Sequence, residues 1–398
     1  MKNVLVISSY PEQDTTHSEK TVGVASYTKT LLGQLLKATT DLKLTVFSEI
    51  DSKTQSYREG GILVERIWQR GNLLSLLQMF FKTYQHEAKT ILIPFEAYMF
   101  GKPVHTATAI IALALLKLSG KNIFIMMHQV IDDFRPLEKN AIKAYVLNIA
   151  KSLLYKMILF ATHTVIVFEE QLKIQLDKNS PHIVVIPHFV PENLLANGDA
   201  PKALAALPDE TYTVLYFGFI APYKGIDLLV DNWPDIPNTK LIVTGGMNPN
   251  YATNPSYQQF VQQVLHSAKK KNIMTTGFVK EEDMAAYFNR ADVVILPYKN
   301  FMSSSGPLSF AFSFHKPVLL SESLRGYGQS KDFKEALTQA GLTMNELTFS
   351  PTKDDLARAM LESKKHQEKL AVFARLMQEK RAKKTIAAML YKTLFAHA

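Results

Sequence analysis

The residues best placed to do chemistry gather around a few glycines and one serine run. Ser303-Ser304-Ser305-Gly306 falls between a β-rich run, 292–296, and a helical stretch, 305–314. Hydroxyls and free backbone N–H groups at a helix start make a concavity that suits a phosphate. A helix cap uses one serine, and three in a row exceed that need. Lys224 stands in Gly218-Phe219-Ile220-Ala221-Pro222-Tyr223-Lys224-Gly225, at the start of a helix expected over 224–231. Its ammonium there joins the positive end of the helix, and Gly218 permits close backbone approach. Together these residues describe a cationic cradle for a diphosphate. Gly245 follows the strand 240–244, and Gly277, Phe278 and Val279 follow 273–276. Backbone left bare at such strand ends suits a nucleotide base. Gly23 opens a helix after the first strand and offers another anion site. Its surroundings do not fit GxGxxG, so a dinucleotide fingerprint is not supported. Taken singly, each of these features also reads as an ordinary turn or cap.

A different chemistry is suggested by Glu96 and His128, which close the runs 90–95 and 122–127. A carboxylate beside an imidazole gives an oriented acid–base pair that titrates near neutral pH. Asp132 and Asp133 follow just downstream. A structural histidine and, more weakly, a metal ligand are the competing readings. His105 and His163 lie on apolar-patterned segments and read as packing residues.

The elements that must position these residues alternate. Strands are expected at 2–8, 43–48, 62–67, 90–95, 122–127, 163–167 and 182–186, with helices at 23–37, 72–86, 104–118, 138–160 and 169–177. On helix 72–86, Leu73, Leu74, Leu77, Phe80, Phe81 and Tyr84 form one apolar face. Breakers between Pro191 and Asp209 mark a linker. A second series follows, with strands at 212–217, 240–244, 273–276, 292–296 and 317–320 and helices at 224–231, 256–270, 281–289, 305–314 and 353–396. Short β-branched runs separated by helices imply parallel sheets covered on both faces. The fold class is α/β, with two doubly wound domains. Ligands of such sheets bind beyond the carboxyl ends of the strands, where the residues above stand.

Composition narrows the function. Lys and Arg number 45 against 36 Asp and Glu, a formal charge of +9 over 398 residues. That excess suits a phosphate-bearing substrate, nucleic acid or an acidic membrane face. No helix-turn-helix or zinc pattern accompanies it, so nucleic acid is not the expected partner. The absence of cysteine excludes disulfides, thiolate nucleophiles and Fe–S clusters, and it fits a reducing cytoplasm. Residues 1–10 read as a strand and not as a signal peptide. The clearest uncharged apolar run, Pro103 to Leu116, is short of the roughly 20 residues that span a bilayer. No spanning segment is therefore expected. Helix 138–160 mixes Lys139, Lys143, Lys151 and Lys156 with Ile142, Tyr145, Val146, Ile149, Leu153 and Leu154. It reads either as a half-buried helix or as a basic amphipathic helix resting on anionic lipid.

The order of these features resembles the GT-B glycosyltransferases, and within them the retaining family 4. The resemblance rests on Gly23-Val-Ala-Ser-Tyr27, Phe95-Glu-Ala-Tyr-Met-Phe-Gly101, Met127-His-Gln129, the segment Leu215–Asp227, Thr276-Gly-Phe-Val279, Ala291–Tyr298, and Ser303-Ser-Ser-Gly-Pro-Leu through Lys316-Pro-Val318. It implies two facing Rossmann-like domains with a C-terminal crossover helix. An acceptor-binding domain would cover 1–195, joined by about 376–398, and a nucleotide-sugar-binding domain 205–375. It implies transfer from a UDP- or GDP-linked sugar to a hydroxyl of a glycan or lipid-linked acceptor, as in cell-surface polysaccharide or glycolipid synthesis. No cofactor or metal is implied. Gly23, Lys224, Ser303, Ser304, Ser305 and Gly306 would hold the diphosphate. Gly218, Gly245, Gly277, Phe278 and Val279 would line the nucleotide. His128, Glu96 and Lys224 would be catalytic. The implied location is cytoplasmic, peripheral on the inner face of the membrane. Two departures stand out. Phe219 occupies the place of the family's usual arginine, and Met302 and Phe310 occupy those of its Glu-x7-Glu pair. A catalytically silent GT-B-like protein that binds a glycan or partners a transferase is thus the alternative.

Overall fold

The computed structural model describes residues 1–14, 23–50, 54–96, 98–128, 130–131, 133–135, 138, 140–192, 201–248, 251–302 and 305–396. Gln129, Asp132, Lys139, Ser303, Ser304 and residues 193–200 of the expected linker lie outside the described residues. The chain divides into two compact units, Met1–His188 with Lys383–Ala398, and Phe189–Ala382.

In the first unit, β1 (Lys2–Ile7), β2 (Leu42–Glu49), β3 (Gln55–Glu59), β4 (Ile62–Trp68), β5 (Thr90–Phe95), β6 (Asn122–Met127), β7 (Thr164–Val167) and β8 (Ile183–Val185) form one sheet. Its order is β3-β4-β2-β1-β5-β6-β7-β8. Only β3 runs antiparallel to its neighbour. Every residue of β5 is buried, as are Val4 to Ile7 of β1, because helices cover both faces. Those helices include α1 (Gly23–Ala38), α2 (Leu73–Gln85), α3 (Pro103–Leu118), α4 (Ala141–Ala161) and α5 (Glu170–Asp177). Asn72 and Asn140 cap α2 and α4 by accepting from the Ser75 and Lys143 N–H groups.

Three expectations change here. Strand β3 carries no apolar alternation, and it forms because Gly60 and Gly61, both at positive φ, fold it back on β4. Its polar Gln-Ser-Tyr-Arg-Glu suits an edge. On α2 the buried side chains are Leu76, Met79, Phe80 and Thr83, whereas Leu73, Leu74, Leu77, Phe81 and Tyr84 face outward. The stripe read from the sequence is thus mostly the exposed side. Finally, α4 is long and apolar enough to cross a membrane by length and composition, with a mean hydropathy of 1.3. No uninterrupted apolar run marks it in the sequence, because Lys143, Lys151 and Lys156 divide it.

The second unit holds β9 (Tyr212–Phe217), β10 (Thr239–Thr244), β11 (Met274–Gly277), β12 (Val293–Leu296), β13 (Val318–Ser321) and β14 (Thr348–Phe349). They lie in the order β11-β10-β9-β12-β13-β14, all parallel. Its helices are α6 (Lys202–Ala205), α7 (Ile226–Asp231), α8 (Pro255–Lys270), α9 (Glu281–Arg290), α10 (Gly306–Ser313), α11 (Lys331–Ala340), α12 (Met344–Leu347), α13 (Lys353–Lys365) and α14 (Gln367–Lys380). One core packs Phe288, Phe312, Phe333 and Phe373, and another packs Leu229, Val261, Phe349 and Met360. The stretch 353–396 is therefore three helices. The last, α15 (Lys383–Phe395), belongs to the first unit and packs on α1. The elements α11, α12 and β14 were not among the expected ones, although Phe333, Ala336, Leu337 and Ala340 of α11 follow a helical spacing.

Lys224 does not begin a helix. It ends a single 3-10 turn, Pro222–Lys224, and α7 starts after Gly225, at φ +66°. A Cβ on Gly225 would stand 1.9 Å from the Pro297 carbonyl oxygen. Clash and strain together are expected to cost Gly225→Ala more than about 2 kcal/mol in denaturant unfolding. A loss below roughly 0.5 kcal/mol, the level of an ordinary surface change, would contradict this tight contact.

Candidate functional site

In the second unit, Lys224 folds back over the end of β9. A Cβ on Gly218 would lie 2.5 Å from the Lys224 Nζ and 3.4 Å from Pro307 Cγ, at the start of α10. Gly218 also takes φ +118°, a backbone conformation that favours glycine, and a side chain there would displace the Lys224 ammonium. The structure thus brings Gly218, Lys224 and the first turn of α10 together. Lys224 is only 8% exposed, and its ammonium has no hydrogen bond or ion pair with a described residue. Asp227, three residues on, is held instead by Lys299 at 2.6 Å. Burial pushes the Lys224 ammonium down to about 8. A buried cation without a counterion is costly, and a bound anion would relieve that cost.

The strand ends are laced together around this point. The Gly218 N–H donates to the Thr244 carbonyl (2.9 Å), Ile220 to Gly246 (3.0 Å) and Gly245 to Gly277 (2.8 Å). Gly245 has a packing role: at φ +142° its Cβ would stand 2.1 Å from the Gly218 carbonyl oxygen. The bare backbone expected there is filled by a neighbouring strand end. Gly277, at φ +70°, has open space where a Cβ would be, and the Phe278 side chain is exposed. Val279 packs instead against the core.

Of the serine run, Ser305 is an N-cap. Its Oγ accepts from the Leu308 N–H at 3.2 Å and lies 3.1 Å from the buried Tyr298 hydroxyl. The expected phosphate nest therefore rests on Gly306, with open space at its Cβ, and on Ser303 and Ser304, which lie outside the described residues. Met302 and Phe310 pack against the apolar core, Phe310 beside Phe217 and Phe288. An acidic pair at these two places would meet hydrocarbon.

The first unit builds a separate constellation. His128 is buried edge-on against Tyr27 (5.0 Å) and Phe168 (4.9 Å), and His188 packs on the same two rings. Desolvation, and then the charge on His188, push His128 down to about 3. The near-neutral titration expected of it is thus corrected: the imidazole is neutral at pH 7. Glu96 is raised by desolvation and opposed by Arg70. Gly23 heads α1 with open space at its Cβ. Asp133 is bound to Arg135 and Asn148. Sequence reasoning did not single out Tyr298, Pro307, Tyr27 or His188. His188 follows β8, so the strand-end rule could have found it.

Residues 211–363 match the family described as Glycosyl transferases group 1. Over 106 residues the chain is 31% identical to GDP-mannose:glycolipid 4-beta-D-mannosyltransferase of Xanthomonas campestris pv. campestris. That match covers 27% of this chain and 29% of the relative. The whole chain aligns with all of the sucrose-phosphate synthase from Thermosynechococcus elongatus, at 17% identity and a TM-score of 0.70. It aligns equally fully with Anabaena Alr3699/HepE in complex with UDP-glucose, at 14% identity and a TM-score of 0.63. The fold is GT-B. On that fold, the group 1 region spans the cradle around Lys224.

Two pH effects follow from this geometry. Lys224 titrates near 8 when folded and near 10.5 when unfolded, so the unfolded chain holds more protons between those values. Without an anion, stability relative to a Lys224→Met variant should rise as pH climbs through that window. Chemical denaturation of both proteins measures the difference, and parallel curves would refute the buried charge. For His128 the unfolded chain takes up the proton first, so stability present above pH 6.5 is lost as pH falls towards 3. Imidazole NMR shifts should show His128 still neutral at pH 5.

Proposed function

We propose that this protein is a glycosyltransferase that moves a sugar from a nucleoside-diphosphate donor to a hydroxyl of a glycan or lipid-linked acceptor. The observation that carries the reading is the buried Lys224 ammonium over Gly218, beside the first turn of α10 and with no counterion among the described residues. As the bond from the sugar's anomeric carbon to the phosphate oxygen breaks, its electron pair stays on the diphosphate. That group gains charge where Lys224 and the α10 N–H groups are already fixed. In this reading they meet the departing charge without a metal ion, and Gly277 and Phe278 receive the base. His128 is neutral at pH 7, so it serves a sugar hydroxyl as a hydrogen-bonding partner and not as a cation. Glu96, raised by burial, is the carboxylate assigned to acid–base work on the acceptor side.

The named Xanthomonas relative makes GDP-mannose the first donor to test, and UDP-glucose, bound by the Anabaena protein, the second. Lys224→Ala should slow turnover by on the order of 100-fold, as loss of one fixed charge-stabilising donor does. It should also abolish the thermal stabilisation given by GDP or UDP. Unchanged turnover would eliminate the cradle. Met302 and Phe310, packed against the apolar core where the family has its acidic pair, favour the second reading, a silent protein that binds a glycan or partners a transferase. Indifference to both UDP and GDP in calorimetry would select it.

A further inference from the structure

The exposed apolar surface of the protein is concentrated on α2, α3 and α4. Of 24 large apolar side chains exposed among the described residues, 15 belong to these three helices. Helix α3 packs against both α2 and α4, so the outer faces adjoin. Phe81, Leu115, Ile142, Tyr145, Leu153 and Phe160 are each more than half exposed. Helix α4 buries Ala144, Ile158 and Ala161, covers Leu147, Leu154, Met157 and Leu159 in part, and leaves Ile142, Tyr145, Val146, Ile149, Leu153 and Phe160 exposed. An exposed patch of this extent marks an interaction surface.

Its charge points to the partner. None of the three helices contains Asp or Glu, yet they carry Lys82, Lys117, Lys143, Lys151 and Lys156. Some of these are engaged at the edges: Lys82 with Glu65, Lys143 with Glu138, and Lys117 with the Phe160 and Thr162 carbonyls. The helices themselves carry apolar and basic side chains and no acidic ones, the nearby carboxylates Glu65 and Glu138 lying outside them. A second copy of this chain packed on it would set lysines against lysines, because a two-fold contact pairs a patch with itself.

We propose that the outer faces of α2, α3 and α4 dock the protein on a bilayer containing anionic lipid. The apolar side chains enter the boundary between headgroups and acyl chains, and the lysine ammoniums reach the lipid phosphates. Helix α4 lies on the surface and does not span it. It joins β6 to β7, which pair in parallel in one sheet, so it is tied along that sheet at both ends. Lys151 at its middle would otherwise sit in hydrocarbon, where a charge is costly. The surface goes beyond the transfer reading, since a chain without that activity would still carry it.

Vesicle flotation of the full chain tests the proposal. Partition onto phosphatidylcholine vesicles containing phosphatidylglycerol should exceed that onto phosphatidylcholine alone by about tenfold or more, and should fall with added salt. The pair Ile149→Glu and Leu153→Glu should abolish flotation, and Lys151→Glu with Lys156→Glu should remove its preference for anionic lipid. Leu361→Glu, at an equally exposed apolar position of the second unit, should change nothing. Circular dichroism and an unaltered Tm confirm that each variant is folded. Absence of flotation, or equal flotation on neutral vesicles at every salt concentration, overturns the proposal. So does a dimer in light scattering that Leu153→Glu dissociates, which would assign the face to a second copy.

Discussion

A lysine ammonium held in the interior, with no counterion among the described residues, is the constraint on which the second unit turns. Removing a charge from water is costly, and proteins usually offset the cost with a carboxylate. Here the adjacent carboxylate, Asp227, is bound to Lys299, and Lys224 is left over a glycine that has no side chain to fill the space. The fold spends stability to keep a positive charge ready. Such an arrangement persists where an anion arrives to complete it.

The surrounding backbone is built to hold that charge in place. Gly218 lacks a Cβ that would displace the ammonium, and Gly245 must lack one because it rests on the Gly218 carbonyl. Gly225 must lack one because the Pro297 carbonyl does the same from the other side. Three strand ends are thereby laced by short backbone hydrogen bonds, and Ser305 and Tyr298 secure the first turn of α10. Fixed dipoles and a fixed ammonium are effective because they need not reorganise when charge develops. The first unit follows a different logic. Its buried His128 is enclosed by Tyr27, Phe168 and His188, which deny it a charge at neutral pH.

The two units also differ on the outside. In the second, the aromatic and aliphatic side chains of α9, α10, α11 and α14 turn inward to a shared core. In the first, α2, α3 and α4 each bury one face but also leave long apolar side chains in solvent, with lysines between them. Periodicity alone does not distinguish these cases. An apolar stripe on a helix has the same spacing whether it faces a sheet or a lipid surface, and on α2 the stripe that looked like core is the one that is exposed.

Much of the architecture was legible in the residues. Apolar β-branched runs separated by helical segments gave both sheets, since strands buried on two faces must be apolar along their whole length. Gly218, Lys224 and Gly306 stood out in the sequence because parallel sheets bind ligands just past their strands, and the structure brings Gly218 and Lys224 beside the first turn of α10. Strand β3 and the break before α7 were not legible, because a glycine turn and a left-handed Gly225 decide them and leave no period, whereas α11 and α12 do carry signals, the helical spacing of Phe333, Ala336, Leu337 and Ala340 and a Thr343–Glu346 capping box. The chain order alone determined the presence of a lysine, a serine run and several glycines at strand ends. Only the tertiary structure decided which glycines were packing and which were open, that Ser305 was a cap, and that Lys224 lacked a described counterion. Those are properties of distance and dielectric, and they arise when segments far apart in sequence exclude water together.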